Sequence, residues 1–149
     1  TDPARLDGLL DTAVAEGAIV TRSSAPAPAA GHFASPAVCL SVPADHVLRT
    51  DEIFGPAVTV NSYTDLDEVL AATRHGRYGL GGYVVGPSER ATAFARALDV
   101  GIVGVNNATP NTPQVPFGGI KHSGYGWEGG EVGLDAFLSY RTVAVASQS

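Results

Sequence analysis

Short strand-like segments alternate with helix-like stretches along most of this chain, and that alternation restricts it to an α/β architecture. Asp2-Pro3 reads as a helix N-cap followed by proline at the first helical position. Leu6, Leu9, Leu10, Ala13 and Val14 then recur at helical spacing up to Gly17. Residues 18–20 form a short apolar run, 36–42 are β-like, and 57–63 alternate with β-branched residues as a strand does. Thr64 is placed to cap a helix running to about Arg74, with Asp65, Asp67 and Glu68 in a first turn that favours acids. Residues 80–85 read as a strand. A helix follows over 87–98, with Ala91, Phe94, Ala95 and Leu98 on one face, then a buried strand over 101–106. A short helix within 128–138 and a terminal strand over 142–146 complete the expected order. Residues 23–31, rich in Ala, Pro and Ser, read as a surface loop. The expectation is an open, largely parallel sheet with flanking helices.

Composition narrows the partners. A net charge of −6 and a pI near 5.0 argue against nucleic acid, which selects a basic patch. No apolar run approaches the roughly 20 residues needed to cross a bilayer, so no membrane partner is expected. The first residues, Thr1-Asp2-Pro3-Ala4-Arg5, carry neither a basic nor an apolar targeting region. A single cysteine excludes an internal disulfide and fits a reducing cytoplasm. His32, His46, His75 and His122 have no metal-ligand spacing, so no metal is expected. The chain contains no Met, which leaves the start of the gene product upstream or removed.

Two motifs carry the chemistry. Asp51-Glu52-Ile53-Phe54-Gly55-Pro56 places an acid and an aromatic two residues apart, on one face if the backbone is extended. A carboxylate can bind the two hydroxyls of a ribose, and an aromatic can pack on a flat ring. On composition alone the bland reading, a solvated Glu and a core Phe, would win. The second motif is Pro116-Phe117-Gly118-Gly119-Ile120-Lys121-His122-Ser123-Gly124-Tyr125-Gly126, whose adjacent glycines permit positive φ and close approach to a ligand.

Both motifs, in this order, resemble the C-terminal part of an NAD(P)-dependent aldehyde dehydrogenase. The resemblance runs from about Leu6 to the end. It implies a partial catalytic domain over 1–139 and an oligomerisation strand with a tail over 140–149. Arg141 to Ala146 would join a neighbouring subunit in a homo-oligomer; the bland alternative is a strand packed within its own subunit. The complete enzyme would oxidise a small aldehyde to the acid with NAD or NADP, through a cysteine thiohemiacetal. Glu52 would hold the nicotinamide ribose, Phe54 would pack near that ring, and Phe117 would line the substrate tunnel. The variable substrate-entry segment, with Thr109 and Asn111, is rich in amides and hydroxyls rather than aromatics. That suits a polar or carboxylate-bearing aldehyde, and equally an ordinary polar loop.

No catalytic residue is assigned. Cys39 lies in an apolar strand only 13 residues before Glu52, whereas the family's nucleophile lies farther upstream than this chain reaches. The resemblance therefore implies a missing N-terminal part carrying nucleophile, general base and dinucleotide-binding domain. Gly124-Tyr125-Gly126-Trp127-Glu128-Gly129 fits a dinucleotide G-x-G-x-x-G pattern but lacks the preceding strand and following βαβ unit. Asn106, at a strand end, reads as a hydrogen-bonding structural residue. The chain alone is expected to be inactive. Two other classes stay open: a non-catalytic interaction module, and one half of a split enzyme.

Overall fold

A computed structural model of the chain describes residues 2–25, 28 and 30–147. The chain divides into two compact units, Thr1–Val69 and Leu70–Ser149. The expected loop over 23–31 falls partly on residues 26, 27 and 29, outside the described residues.

In the first unit, helix α1 spans Pro3–Ala15. The Asp2 carboxylate accepts a hydrogen bond from the Ala4 amide at 3.0 Å, satisfying one free N–H of the first turn. Gly17, at φ 98°, turns the chain out of the helix into strand β1, Ile19–Arg22. Strand β2, Ala37–Leu40, lies between β1 and β3, Ala57–Val60, antiparallel to the first and parallel to the second. The single-turn helix α2, Val47–Thr50, sits in the β2–β3 crossover and was not expected. Its cap is the side chain of His46, whose Nδ1 accepts from the Leu48 amide at 3.1 Å. Histidine is an uncommon cap, so the residue type gave no signal. Leu6, Leu10 and Ala13 of α1 form one core with Ala18, Ala37, Cys39, Val42 and Leu48. Val14, expected on the same face, is half exposed at the end of α1.

Helix α3, Leu66–His75, runs across the division between the units. Its cap is Asp65 rather than Thr64: the Asp65 carboxylate accepts from the Asp67 amide at 2.9 Å. Both residues are good caps, and a one-residue shift decides between them.

In the second unit, strands β4, Tyr78–Gly79, and β5, Gly81–Val84, replace one expected strand. Helix α4, Ser88–Ala97, joins β5 to β6, Ile102–Val105, which pairs parallel with β5. Ala91 and Ala95 are the buried residues of α4. β6 is only partly buried, because it has a single strand partner among the described residues. β4 pairs antiparallel with β7, Ile120–Lys121. A 3₁₀ helix over Val132–Phe137 stands where a short helix was expected. Residues 140–147 are exposed and adopt no strand. A strand exists only with a pairing partner, and no described residue pairs with this segment. The α/β class holds. The open, largely parallel sheet is not formed among the described residues, where three small sheets contain two parallel and two antiparallel pairings.

Candidate functional site

Glu52 and Phe54 belong to the first unit, and Thr109, Asn111 and Phe117 to the second. Asp51 ends α2 in an extended conformation and starts the candidate cofactor segment. Ile53 is the inward residue of that segment and packs against the core. Its carbonyl accepts a hydrogen bond from the Arg5 guanidinium at 2.9 Å, tying the segment to the first turn of α1. Glu52 and Phe54 consequently face outward together, Phe54 with 74% of its surface exposed. The backbone is not extended throughout, as it was expected to be: Phe54 adopts φ 50°, in the left-handed region. That conformation costs a residue with a bulky side chain about 1–2 kcal/mol, and such outliers gather where function over-determines the backbone. Glu52 has no hydrogen bond or ion pair with another described residue, so its carboxylate is available to a ligand.

An outward carboxylate beside an exposed flat ring is a donor set that suits a ribose and its attached heterocycle. Both residues fit such a group in chemical type, and both are exposed.

Cys39 lies in the middle of β2, fully buried, between Val20 and Thr59 on the flanking strands. Burial pushes its thiol above the ordinary range, and the nearby Arg22 guanidinium lowers it by less. A buried, protonated thiol is a poor nucleophile.

In the second unit, the loop over 107–114 is exposed except at Pro110. Asn107 organises it: its side-chain oxygen accepts from the Thr109 amide at 2.9 Å and from the Thr109 hydroxyl at 3.4 Å. Asn111 is exposed on the same loop. Phe117 is half-buried and makes an antiparallel bridge with Glu128, each amide donating to the other's carbonyl at 2.7 Å. An open concavity of about 450 Å³ takes in Tyr83, Val85, Asn106, Asn107 and Ala108. It touches the start of the loop but not Thr109, Asn111 or Phe117.

The Phe117-Gly118-Gly119 motif corrects one expectation. Neither Gly118 nor Gly119 has a positive φ, whereas Gly124 and Gly126 do. Their need for glycine comes from close packing on the chain itself: a Cβ on Gly118 would lie 2.6 Å from the Gly126 carbonyl oxygen, and one on Gly119 2.6 Å from Ser123 Cβ. The G-x-G-x-x-G pattern at 124–129 lies in turns that follow the two-residue β7, with no βαβ unit.

Asn106 makes structural hydrogen bonds, as expected of it, whereas the contacts of Lys121 were not indicated by its sequence context. The Asn106 carboxamide donates to and accepts from the Gly86 backbone, both at 2.9 Å. The Lys121 ammonium donates to the Thr73 and Arg74 carbonyls at the end of α3, at 3.0 and 3.1 Å, and pairs with Asp99 at 3.0 Å. No sequence spacing links Lys121 to these partners. Among the described residues, no group of three potential metal ligands gathers, and no helix is long and apolar enough to cross a membrane.

The sequence model of the aldehyde dehydrogenase family matches residues 2–143, and this chain belongs to that family. The chain is 38% identical over 136 residues to the 4-(hydroxymethyl)benzenesulfonate dehydrogenase TsaD1 of Comamonas testosteroni. That match covers 91% of this chain and 28% of the relative. Among solved structures it resembles succinic semialdehyde dehydrogenase from Streptococcus pyogenes in complex with NADP+, with a TM-score of 0.84 and 29% identity. There the match covers 97% of this chain and 32% of the other. It also resembles betaine aldehyde dehydrogenase from Staphylococcus aureus in complex with NAD+, with a TM-score of 0.82 and 31% identity, covering 92% of this chain and 28% of the other. The chain thus spans about a third or less of the relatives it matches.

Proposed function

We propose that this chain is the C-terminal part of an NAD(P)-dependent aldehyde dehydrogenase, supplying the nicotinamide-ribose clamp and part of the substrate entry. The outward pairing of Glu52 with Phe54, held by the inward Ile53, carries this reading. Glu52 accepts from the ribose hydroxyls, and Phe54 presents its ring to the nicotinamide. NAD or NADP, when bound, supplies the hydride acceptor. Thr109, Asn111 and Phe117 face the substrate, and the polar character of the first two favours a small polar or carboxylate-bearing aldehyde. The nucleophile and general base lie in the part of the fold outside these residues, so the chain alone produces no NAD(P)H. The buried state of Cys39 supports that assignment.

The domain reading assigns 1–139 to a partial catalytic domain and 140–149 to an oligomerisation strand and tail. The exposed apolar side chains of Tyr140, Val143 and Val145 support a strand that finds its partner in a second subunit. Removing 141–149 from the complete enzyme should lower its mass in light scattering.

Glu52→Gln in the complete enzyme tests the clamp. Losing one charge-assisted hydrogen bond is worth about 1.5–3 kcal/mol, roughly 10- to 100-fold in rate. Single-turnover hydride transfer should slow more than overall cofactor affinity falls. An unchanged transfer rate would refute the clamp.

A further inference from the structure

Glu52 is aimed by its backbone alone. Its carboxylate has no hydrogen bond or ion pair with another described residue, so whatever fixes residues 51–54 fixes the carboxylate. On the downstream side, Arg5 holds the Ile53 carbonyl. On the upstream side the segment leaves directly from α2, whose closing bond runs from the Asp51 amide to the Val47 carbonyl at 3.0 Å. A helix of four residues does not sustain itself, because nucleating one turn fixes several dihedrals for a single bond. Val47 and Thr50 are β-branched, which lowers helix propensity further. Such a turn depends on what grips its ends.

His46 grips the leading end. Its amide donates to the Pro43 carbonyl at 3.2 Å, and its carbonyl accepts from the Arg49 amide at 2.8 Å. Its ring accepts from the Leu48 amide at Nδ1, so in the neutral imidazole the proton sits on Nε2. His46 is buried, and its Nε2 has no hydrogen-bond partner among the described residues. An unpaired buried donor costs about as much as a helix cap returns. For stability alone, an apolar side chain of similar size would serve equally well. What the ring adds over such a side chain is its hold on the turn that leads to Glu52.

We propose that His46 is a positioning residue for the nicotinamide-ribose clamp: through Nδ1 it holds α2, and so sets the point from which Asp51 and Glu52 leave. The inference rests on the clamp reading of Glu52 above. Leu48, buried in the core, anchors the middle of the turn. Loss of the cap therefore loosens the exit at Asp51 rather than dissolving the turn.

Two variants of the complete enzyme separate the cap from the space that the ring fills. His46→Leu keeps the volume and has no acceptor, whereas His46→Asn loses volume and keeps a short acceptor suited to a cap. His46→Leu should slow single-turnover hydride transfer about fivefold, the worth of one cap. It should speed amide exchange at residues 51–54 and leave the melting temperature unchanged. His46→Asn should melt lower, because it leaves space in the core, yet transfer hydride at close to the parent rate. Because His46 acts through Glu52, His46→Leu should slow transfer no further when added to Glu52→Gln. If His46→Leu does not fold, His46→Ala set against His46→Asn gives the same comparison, since both leave space and only asparagine caps. Parent-like transfer and exchange in His46→Leu would overturn the proposal. So would a loss repeated in full on the Glu52→Gln background, which marks a role in stability only. The clamp reading fails by a different result: Glu52→Gln transferring hydride at the parent rate sinks the clamp and this inference with it, whereas a slow Glu52→Gln beside a parent-like His46→Leu sinks this inference alone.

Discussion

Gly101 and Gly118 are packed backbone to backbone, so closely that a Cβ on Gly101 would stand 1.9 Å from the Gly118 carbonyl oxygen. No side-chain motion can relieve that overlap. Gly101→Ala should therefore destabilise the chain by about 3 kcal/mol or more, measured by urea denaturation. A loss below 1 kcal/mol would show that the backbone yields easily at this contact.

Asn106 sits at φ 50° just after β6 and closes a two-way pairing with Gly86. Its side chain copies a peptide group and lengthens the β5–β6 ladder by one rung. Asn106→Ala loses both bonds and the tolerance of asparagine for this conformation, about 2–3 kcal/mol together. Asn106→Gly should recover only the conformational share. Equal stability of the two variants would contradict this partition.

Phe54 holds its ring outward on left-handed backbone. Phe54→Gly should be more stable than Phe54→Ala by about 1 kcal/mol, because only glycine accepts that backbone without penalty. In the complete enzyme both should weaken nicotinamide handling alike. Calorimetry on the pair, beside hydride-transfer rates, separates strain from ring contact.

Lys121→Met keeps the length of the side chain and removes the charge that caps α3 and pairs with Asp99. The expected loss is about 1–2 kcal/mol, since Asp99 is half exposed and solvent screens that pair. Hydrogen exchange of residues 70–75 should accelerate. Unchanged exchange would mean that the helix end is held by something else.

The Cys39 thiol is raised by burial from its ordinary value of 9.0. Above that pH the unfolded chain ionises first, so it gains stability relative to the fold. Stability should be full below about pH 9 and fall as pH climbs, by up to about 1.4 kcal/mol per unit between the two pKa values. Cys39→Ala should remove the slope. Alkylation of the native chain should be slow, and fast once it is unfolded.

The α/β class and most elements were legible because they rest on local signals: the Asp2 cap with Pro3, the helical spacing of Leu6 and Leu10, and the β-branched alternation after Ala57. Glu52 and Phe54 are both exposed, but the extended backbone expected through them is broken by the left-handed φ of Phe54, which their two-residue spacing did not signal. What escaped depends on distant partners. Helix α2 is a single turn capped by a histidine. Lys121 finds Thr73 and Asp99 across 48 and 22 residues of chain. The glycines at 118 and 119 answer to backbone packing, which a linear sequence does not display. The terminal segment has strand composition, but a strand needs a neighbour.

Arg5 grips the carbonyl of Ile53 from the first turn of α1. The candidate clamp is therefore registered to a helix that begins 49 residues earlier in the chain than Glu52 itself. Fraying of that first turn would reach Glu52 and Phe54 without touching either, so the aim of the clamp serves as a gauge of whether the opening helix is seated.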